Sequence, residues 1–244
     1  THNSIVNESA NLLKRPYFCN IIRPMKNLKT ILNSNPWFIY PYISLLTFSI
    51  VILLFLEKTD IQLAINRLHN PFFDWVFKYS TTLAEGVSIV LLLILTLIIR
   101  YRWTIVFSFA LVANSIVVYL LKKLLFSDTE RPMVFFSQLS DWHTVNGVHL
   151  HTNMSFPSGH TAAAFTMFFS LAICLKNKAL GLLFFIASFM VGYSRMYLSQ
   201  HYLRDVVVGS IIGIIISILS YYFVQNSNKL NQLSWIDKSL SQLL

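Results

Sequence analysis

Long stretches without charge alternate with short basic ones along this chain, and that alternation predicts helices that cross a membrane. Residues 37–56 run for about 20 positions without a charge, the length that spans ~30 Å of hydrocarbon. Trp37 and Tyr40 stand at its start, where aromatic side chains anchor at the interface. Further apolar runs cover 86–99 (beginning just after Glu85, or a little earlier at Leu83), 103–121, 158–175, 179–198 and 205–224. The expected fold is all-α: a polytopic membrane protein of six transmembrane helices with short interfacial helices.

The connections are of two kinds. Residues 57–84 mix charges with aromatics and break at Asn70-Pro71, the pattern of an amphipathic helical pair lying on the membrane surface. Residues 124–156 form the longest connection between spans, a length that points to a lid or a recognition element. Short interfacial helices are also expected from Ile31 and near 233–244. The chain then divides into a cytoplasmic or interfacial segment 1–36, a six-span domain 37–224 and a cytoplasmic tail 225–244. Within the first segment, Met25-Lys26-Asn27-Leu28 resembles a native start.

Six crossings put both termini on one side. Lys14, Arg15, Arg23, Lys26 and Lys29, together with the short basic turns at 100–102 and 176–178, fall on that same side, which the positive-inside tendency identifies as cytoplasmic. Only 12% of the 244 residues are charged, against roughly 25% in ordinary soluble domains. The net charge of +9 is explained by this one-sided excess of Lys and Arg, and no nucleic-acid partner is expected. Cys19 and Cys174 lie far apart and support neither a disulfide framework nor a cysteine metal site. His143, His149 and His151 have no spacing that compels a metal site, and loop contacts or headgroup recognition suit them better. Gly209 and Gly213, four apart in the last run, predict close helix packing inside the bundle.

Candidate chemistry gathers at the ends of the later spans. Pro157-Ser158-Gly159-His160 reads as a helix start: proline resists continuation from before, serine caps, and the unpaired N–H groups beyond favour an anion. Lys123 closes the third run, Arg131 follows it, Ser194-Arg195 approach the exit of the fifth, and His201 and Asp205 open the sixth. Threaded through six spans, all of these reach the extracytoplasmic face. Ionisable groups at such positions cost ~2.5–3.5 kcal/mol to insert and are functional by default.

The residue types fit phosphoryl transfer. Lys123, Arg131 and Arg195 would hold phosphate oxygens, with Ser158 and the backbone of Gly159 completing the cradle. His201 would be the nucleophile, oriented by Asp205, and His160 the acid and base. The scheme calls for no metal and no cofactor.

Lys123 with Arg131-Pro132, then Pro157 to His160, then Ser194-Arg195 with His201 and Asp205, resembles the three-part signature of the phosphatidic acid phosphatase type 2 superfamily. The resemblance covers spans three to six. It implies phosphate binding by Lys123, Arg131, Ser158, Gly159 and Arg195, acid–base work by His160, and a nucleophile His201 partnered by Asp205. The first motif departs from the family pattern, with seven residues rather than six between Lys123 and Arg131; we assign Lys123, with Lys122 as the alternative. The implied activity is hydrolysis of a lipid phosphate or diphosphate in a bacterial cytoplasmic membrane, from the periplasmic side. Phosphatidic acid, phosphatidylglycerol phosphate, undecaprenyl diphosphate and lipid A remain open as substrates. Transfer to another lipid, or headgroup transport without catalysis, are the competing readings, and the oligomeric state is left open.

Overall fold

The computed structural model describes residues 27–242, and every regular element among them is helical. Most of the basic N-terminal segment, including the expected start at Met25, and Cys19 lie outside the described residues. In chain order the helices are α1 (Leu28–Asn33), α2 (Pro36–Phe55), α3 (Lys58–Asn66), α4 (Pro71–Ser80), α5 (Gly86–Ile99), α6 (Tyr101–Leu120), α7 (Pro132–Phe136), α8 (Gly159–Leu175), α9 (Lys178–Tyr197), α10 (Leu203–Asn226) and α11 (Asn228–Asn231). A 3-10 turn, Thr81–Ala84, links α4 to α5, and a π turn, Leu121–Leu125, extends α6.

The starts of these helices follow from local chemistry. Asn27, Asn70, Ser158 and Asn177 each accept a backbone N–H from the first turn of the helix they precede, and Pro36, Pro71 and Pro132 occupy first-turn positions where no N–H is needed. The expected pair on 57–84 is present as α3 and α4, broken where Asn70-Pro71 predicts.

α8 is the centre of the bundle. Almost every side chain from Thr161 to Cys174 is buried, and α6, α9 and α10 pack around it. The contact with α10 is backbone to backbone. A Cβ on Gly209 would lie 2.6 Å from the carbonyl oxygen of Ser158, and one on Gly213 would lie 2.7 Å from that of Ala162. The four-residue glycine spacing therefore does what was expected of it inside the bundle. Toward the periphery the pattern inverts. Leu54, Phe55 and Val87 are among many large apolar side chains left exposed, the arrangement of a protein whose outer solvent is hydrocarbon.

The count of six spans is not reproduced by length alone. Among the described residues, α2, α6 with its π turn, α9 and α10 are each long and apolar enough to cross a membrane. The stretch from α4 through α5 passes the same test only as a bent pair, with a 51° break. α8, expected as a span, has 17 residues and reaches about 26 Å at 1.5 Å per residue. A helix enclosed by others has neighbours in place of lipid along most of its length, so it can be shorter.

The tail also departs from expectation. Of the helix foreseen near 233–244, the described residues contain only the 3-10 turn Leu240–Gln242. The segment before it turns back to cap α6: the carbonyls of Ile236 and Lys238 accept from the backbone N–H groups of Arg102 and Tyr101. Asp237 takes two hydrogen bonds from the Arg102 guanidinium, at 2.8 and 2.9 Å. The unpaired N–H groups of a helix start are satisfied this way, which holds the tail in an irregular path.

Candidate active site

Four chain segments build one polar cluster at the ends of α6, α8, α9 and α10 and at the turn before α5. The segment before α8 is tied to the start of α10, because the Ser158 N–H donates to the Asp205 carbonyl at 3.0 Å. Ser158 caps α8: its hydroxyl accepts from the Thr161 N–H and lies 2.8 Å from the Thr161 hydroxyl. The serine is fully buried. Gly159 and His160 form the first turn that follows, where backbone N–H groups have no partner within the helix.

Beyond α9 the chain folds back on itself. The N–H groups of Gln200 and His201 both donate to the Arg195 carbonyl, at 2.9 and 3.0 Å, and Ser199 takes a positive φ of 56° to permit it. Five intervening residues thus place Arg195 and His201 side by side. His201 is 2% exposed and Asp205 is fully buried, with His201 Nδ1 3.6 Å from Asp205 Oδ2. That separation is an ion-pair distance, longer than a hydrogen bond. Burial drives the His201 imidazole down to about 3; Asp205 opposes this, and Arg131 and Arg195 reinforce it. At neutral pH His201 is uncharged and has a lone pair to offer.

Two guanidinium groups flank the histidines. Arg131 is buried and donates from Nε to the Asn153 carbonyl at 2.9 Å and from Nη1 to the Gln200 side chain at 2.8 Å. Arg195 is also buried, and its Nη1 donates to the Thr81 hydroxyl at 2.7 Å. Its Nε has no partner among the described residues.

Of the two lysines, the structure turns Lys122 into the cluster. Its Nζ donates to the Met154 carbonyl at 2.5 Å, and its Cε would lie 4.0 Å from a Cβ on Gly159. Lys123 is exposed on the same π turn. Successive helical residues point about 100° apart, and a π turn inserts one extra residue into the helix. The spacing in sequence is therefore a poor guide to which lysine faces Arg131.

A cavity of about 320 Å³ opens at the edge of this cluster, lined by His160, Arg195, Thr81, Glu85, Gln200, His149 and His151 among others; Lys122, Arg131 and His201 stand behind its lining. His201 lies buried beside Gln200. His143, by contrast, stacks on His69 and binds Asp74, outside this cavity.

Four residues of the site were not foreseen from the sequence. Ser155 donates to Asp205, Gln200 binds Arg131, Thr81 binds Arg195, and Glu85 lies 3.6 Å from His160. Glu85 carried a usable signal, a lone acid at the mouth of an apolar run. Thr81, far from the motifs in sequence, carried none.

Comparison with known proteins places the chain among relatives. The chain is 25% identical over 172 residues to a lipid A 4'-phosphatase of Bacteroides thetaiotaomicron, an overlap of 65% of this chain and 74% of that protein. Over a shorter stretch, 82 residues, it is 34% identical to the undecaprenyl-diphosphatase BcrC of Bacillus subtilis, covering 33% of this chain and 42% of the relative. The crystal structure of Aquifex aeolicus LpxE superposes with a TM-score of 0.56 at 30% identity, over 66% of this chain and 92% of that one. A PAP2-type phosphatidylglycerolphosphate phosphatase from Bacillus subtilis shares the fold, with a TM-score of 0.50 at 20% identity over 76% and 96% of the two chains. The sequence model of the PAP2 superfamily matches residues 103–229, just over half of the chain and the region that contains the histidines, the arginines and both lysines. The chain belongs to the PAP2 superfamily.

Proposed function

We propose that this protein is a membrane-embedded phosphatase that removes phosphate from lipid phosphates or diphosphates through a phosphohistidine at His201. The observation that carries the reading is the convergence of two imidazoles and three cations at neighbouring helix ends, with the nucleophile candidate buried, uncharged and beside a carboxylate.

Each step uses side chains already in place. Asp205, an ion-pair distance away, favours the His201 proton on Nδ1, which leaves Nε2 to attack phosphorus. As the P–N bond forms, the P–O bond to the lipid breaks and His160 gives its proton to the leaving oxygen. Water then attacks phosphorus and passes a proton to His160. The P–N bond breaks, and inorganic phosphate departs from a neutral His201. Arg131, Arg195 and Lys122, with the N–H groups at the start of α8, face the negative charge that shifts between the oxygens. We assign the lysine role to Lys122 on the strength of its placement.

The substrate is proposed to be an amphiphile reached from the extracytoplasmic leaflet of a bacterial cytoplasmic membrane. Arg100, Arg102, Lys176 and Lys178 gather at the opposite helix ends, which supports that orientation. The cavity exceeds the volume of one phosphate, and the Bacteroides and Bacillus relatives are named for lipid A and undecaprenyl diphosphate.

The test is phosphate release from a panel of lipid phosphates by the purified protein in detergent, with chelator present. His201→Ala should abolish release and the acid-labile phosphoenzyme together, and vanadate should inhibit. Release by His201→Ala at the native rate would overturn the assignment of the nucleophile, and no release from any lipid phosphate by the native protein would overturn the reading in favour of headgroup binding alone.

A further inference from the structure

Each histidine of the site has a carboxylate at the same distance. His201 Nδ1 lies 3.6 Å from Asp205, and His160 Nε2 lies 3.6 Å from Glu85 Oε1. Asp205 belongs to the motif that was read from the sequence. Glu85 comes from the other end of the chain's membrane region, at the break between the Thr81–Ala84 turn and α5.

Several observations set Glu85 apart from a surface acid. It occupies the N-cap position of α5, yet its carboxylate makes no cap hydrogen bond there. The 51° bend at this break brings it to the rim of the cavity, which it lines together with His160 and Arg195. The same short turn supplies Thr81, whose hydroxyl accepts from Arg195. The turn therefore presents two acceptors to the catalytic cluster, one to the arginine and one to the histidine.

The charges around His160 show what such an acceptor does. Arg195, His201, Arg131 and Lys122 face it from α9, the α9–α10 loop, the loop before α7 and the end of α6, and Lys78, His149 and His151 line the same cavity. Against these, Glu85 is the carboxylate that shares the cavity lining with His160, 3.6 Å from its Nε2. An imidazolium formed here without a counter-charge would meet the positive charge of Arg195, Arg131 and Lys122 unopposed.

We propose that Glu85 is the positioning partner of His160: it holds Nε2–H, so that Nδ1 is the nitrogen that gives the proton to the leaving oxygen and later takes one from water. The other nitrogen of a histidine is set by the bond the first one makes. At 3.6 Å the pair is an ion pair in waiting, and protonation of His160 draws it into a hydrogen bond. Both groups are partly open to water, so the coupling is moderate rather than large.

This rests on the phosphohistidine reading above, and the experiment separates the two. The pH profile of kcat/KM, which reports formation of the phosphoenzyme, is measured for the native protein, Glu85→Gln and Glu85→Asp with an alkyl lipid phosphate and with p-nitrophenyl phosphate, whose leaving group needs no proton. With the lipid, Glu85→Gln should lower kcat/KM roughly three- to thirtyfold, a part of the ~10²–10⁴ an acid–base group supplies. Its alkaline limb should move down by about half a pH unit or more, because the proton on His160 is held less firmly. Glu85→Asp should fall between, and p-nitrophenyl phosphate should respond little. A native limb and native kcat/KM in a folded Glu85→Gln protein would overturn the proposal while His201→Ala still abolished the phosphoenzyme. Equal loss on both substrates with an unmoved limb would likewise overturn it, assigning Glu85 a merely structural role.

Discussion

Ser155 donates a 2.6 Å hydrogen bond to Oδ2 of Asp205, the same oxygen that lies 3.6 Å from Nδ1 of His201. The Tyr202 N–H donates to that oxygen as well, at 3.0 Å. Asp205 is thus held in position by donors from the loop before α8 and from the start of its own helix, and its carboxylate is oriented beside His201.

Replacing Ser155 with alanine removes one of the two donors that fix the oxygen. A hydrogen bond to a charged group contributes about 1.5–3 kcal/mol, so Ser155→Ala should lower kcat roughly tenfold or more. KM should change little, because the cations proposed to hold phosphate make no contact with Ser155. Steady-state phosphate release on a lipid phosphate checks this; a raised KM with unchanged kcat would place Ser155 in binding instead.

The two adjacent lysines should separate cleanly. Lys122→Ala is expected to cost at least about tenfold in kcat/KM, the loss of a charge-assisted contact to phosphate. Lys123→Ala should stay within about twofold of the native protein, as substitutions at exposed sites do. Parallel kinetics on the two variants decide it, and the reverse order would return the role to Lys123.

Packing between α8 and α10 predicts a loss of stability that has nothing to do with chemistry. Alanine at Gly213 would bring its Cβ within 2.7 Å of both the Ala162 carbonyl oxygen and the Phe165 Cβ, and backbone cannot give way as a side chain end can. Overpacking typically costs about 1–3 kcal/mol. Thermal unfolding in detergent should show a drop of several degrees for Gly213→Ala, whereas Gly86→Ala, where nothing lies within 4 Å of the added carbon, should not destabilise by contact.

Acid should destabilise the fold through His201. In the unfolded chain the imidazole titrates near ~6.5, whereas burial holds it at about 3 in the folded protein. Between those values the unfolded state binds more protons, so the contribution is present above about pH 6.5 and is lost as pH falls toward 3. The melting temperature of the native protein should decline across that window, and His201→Gln, which cannot titrate, should show a shallower decline.

The helical class, the apolar runs, the break at Asn70-Pro71 and the helix start at Ser158 are legible in the sequence, because each depends on neighbours a few residues away. Charge-free length, caps and proline act locally, and the spacing from Arg195 to His201 and Asp205 lies within one turn of loop and one turn of helix. The glycine pair on α10 was legible too, since small residues four apart share a helix face. Sequence order could not say which of Lys122 and Lys123 faces the site, because a π turn rotates the register there. Nor could it bring Glu85 to His160 or Thr81 to Arg195, 75 and 114 residues apart. Those meetings follow from the bend before α5 and from the packing of helices around α8, and long-range packing leaves no periodic trace in the residues it joins.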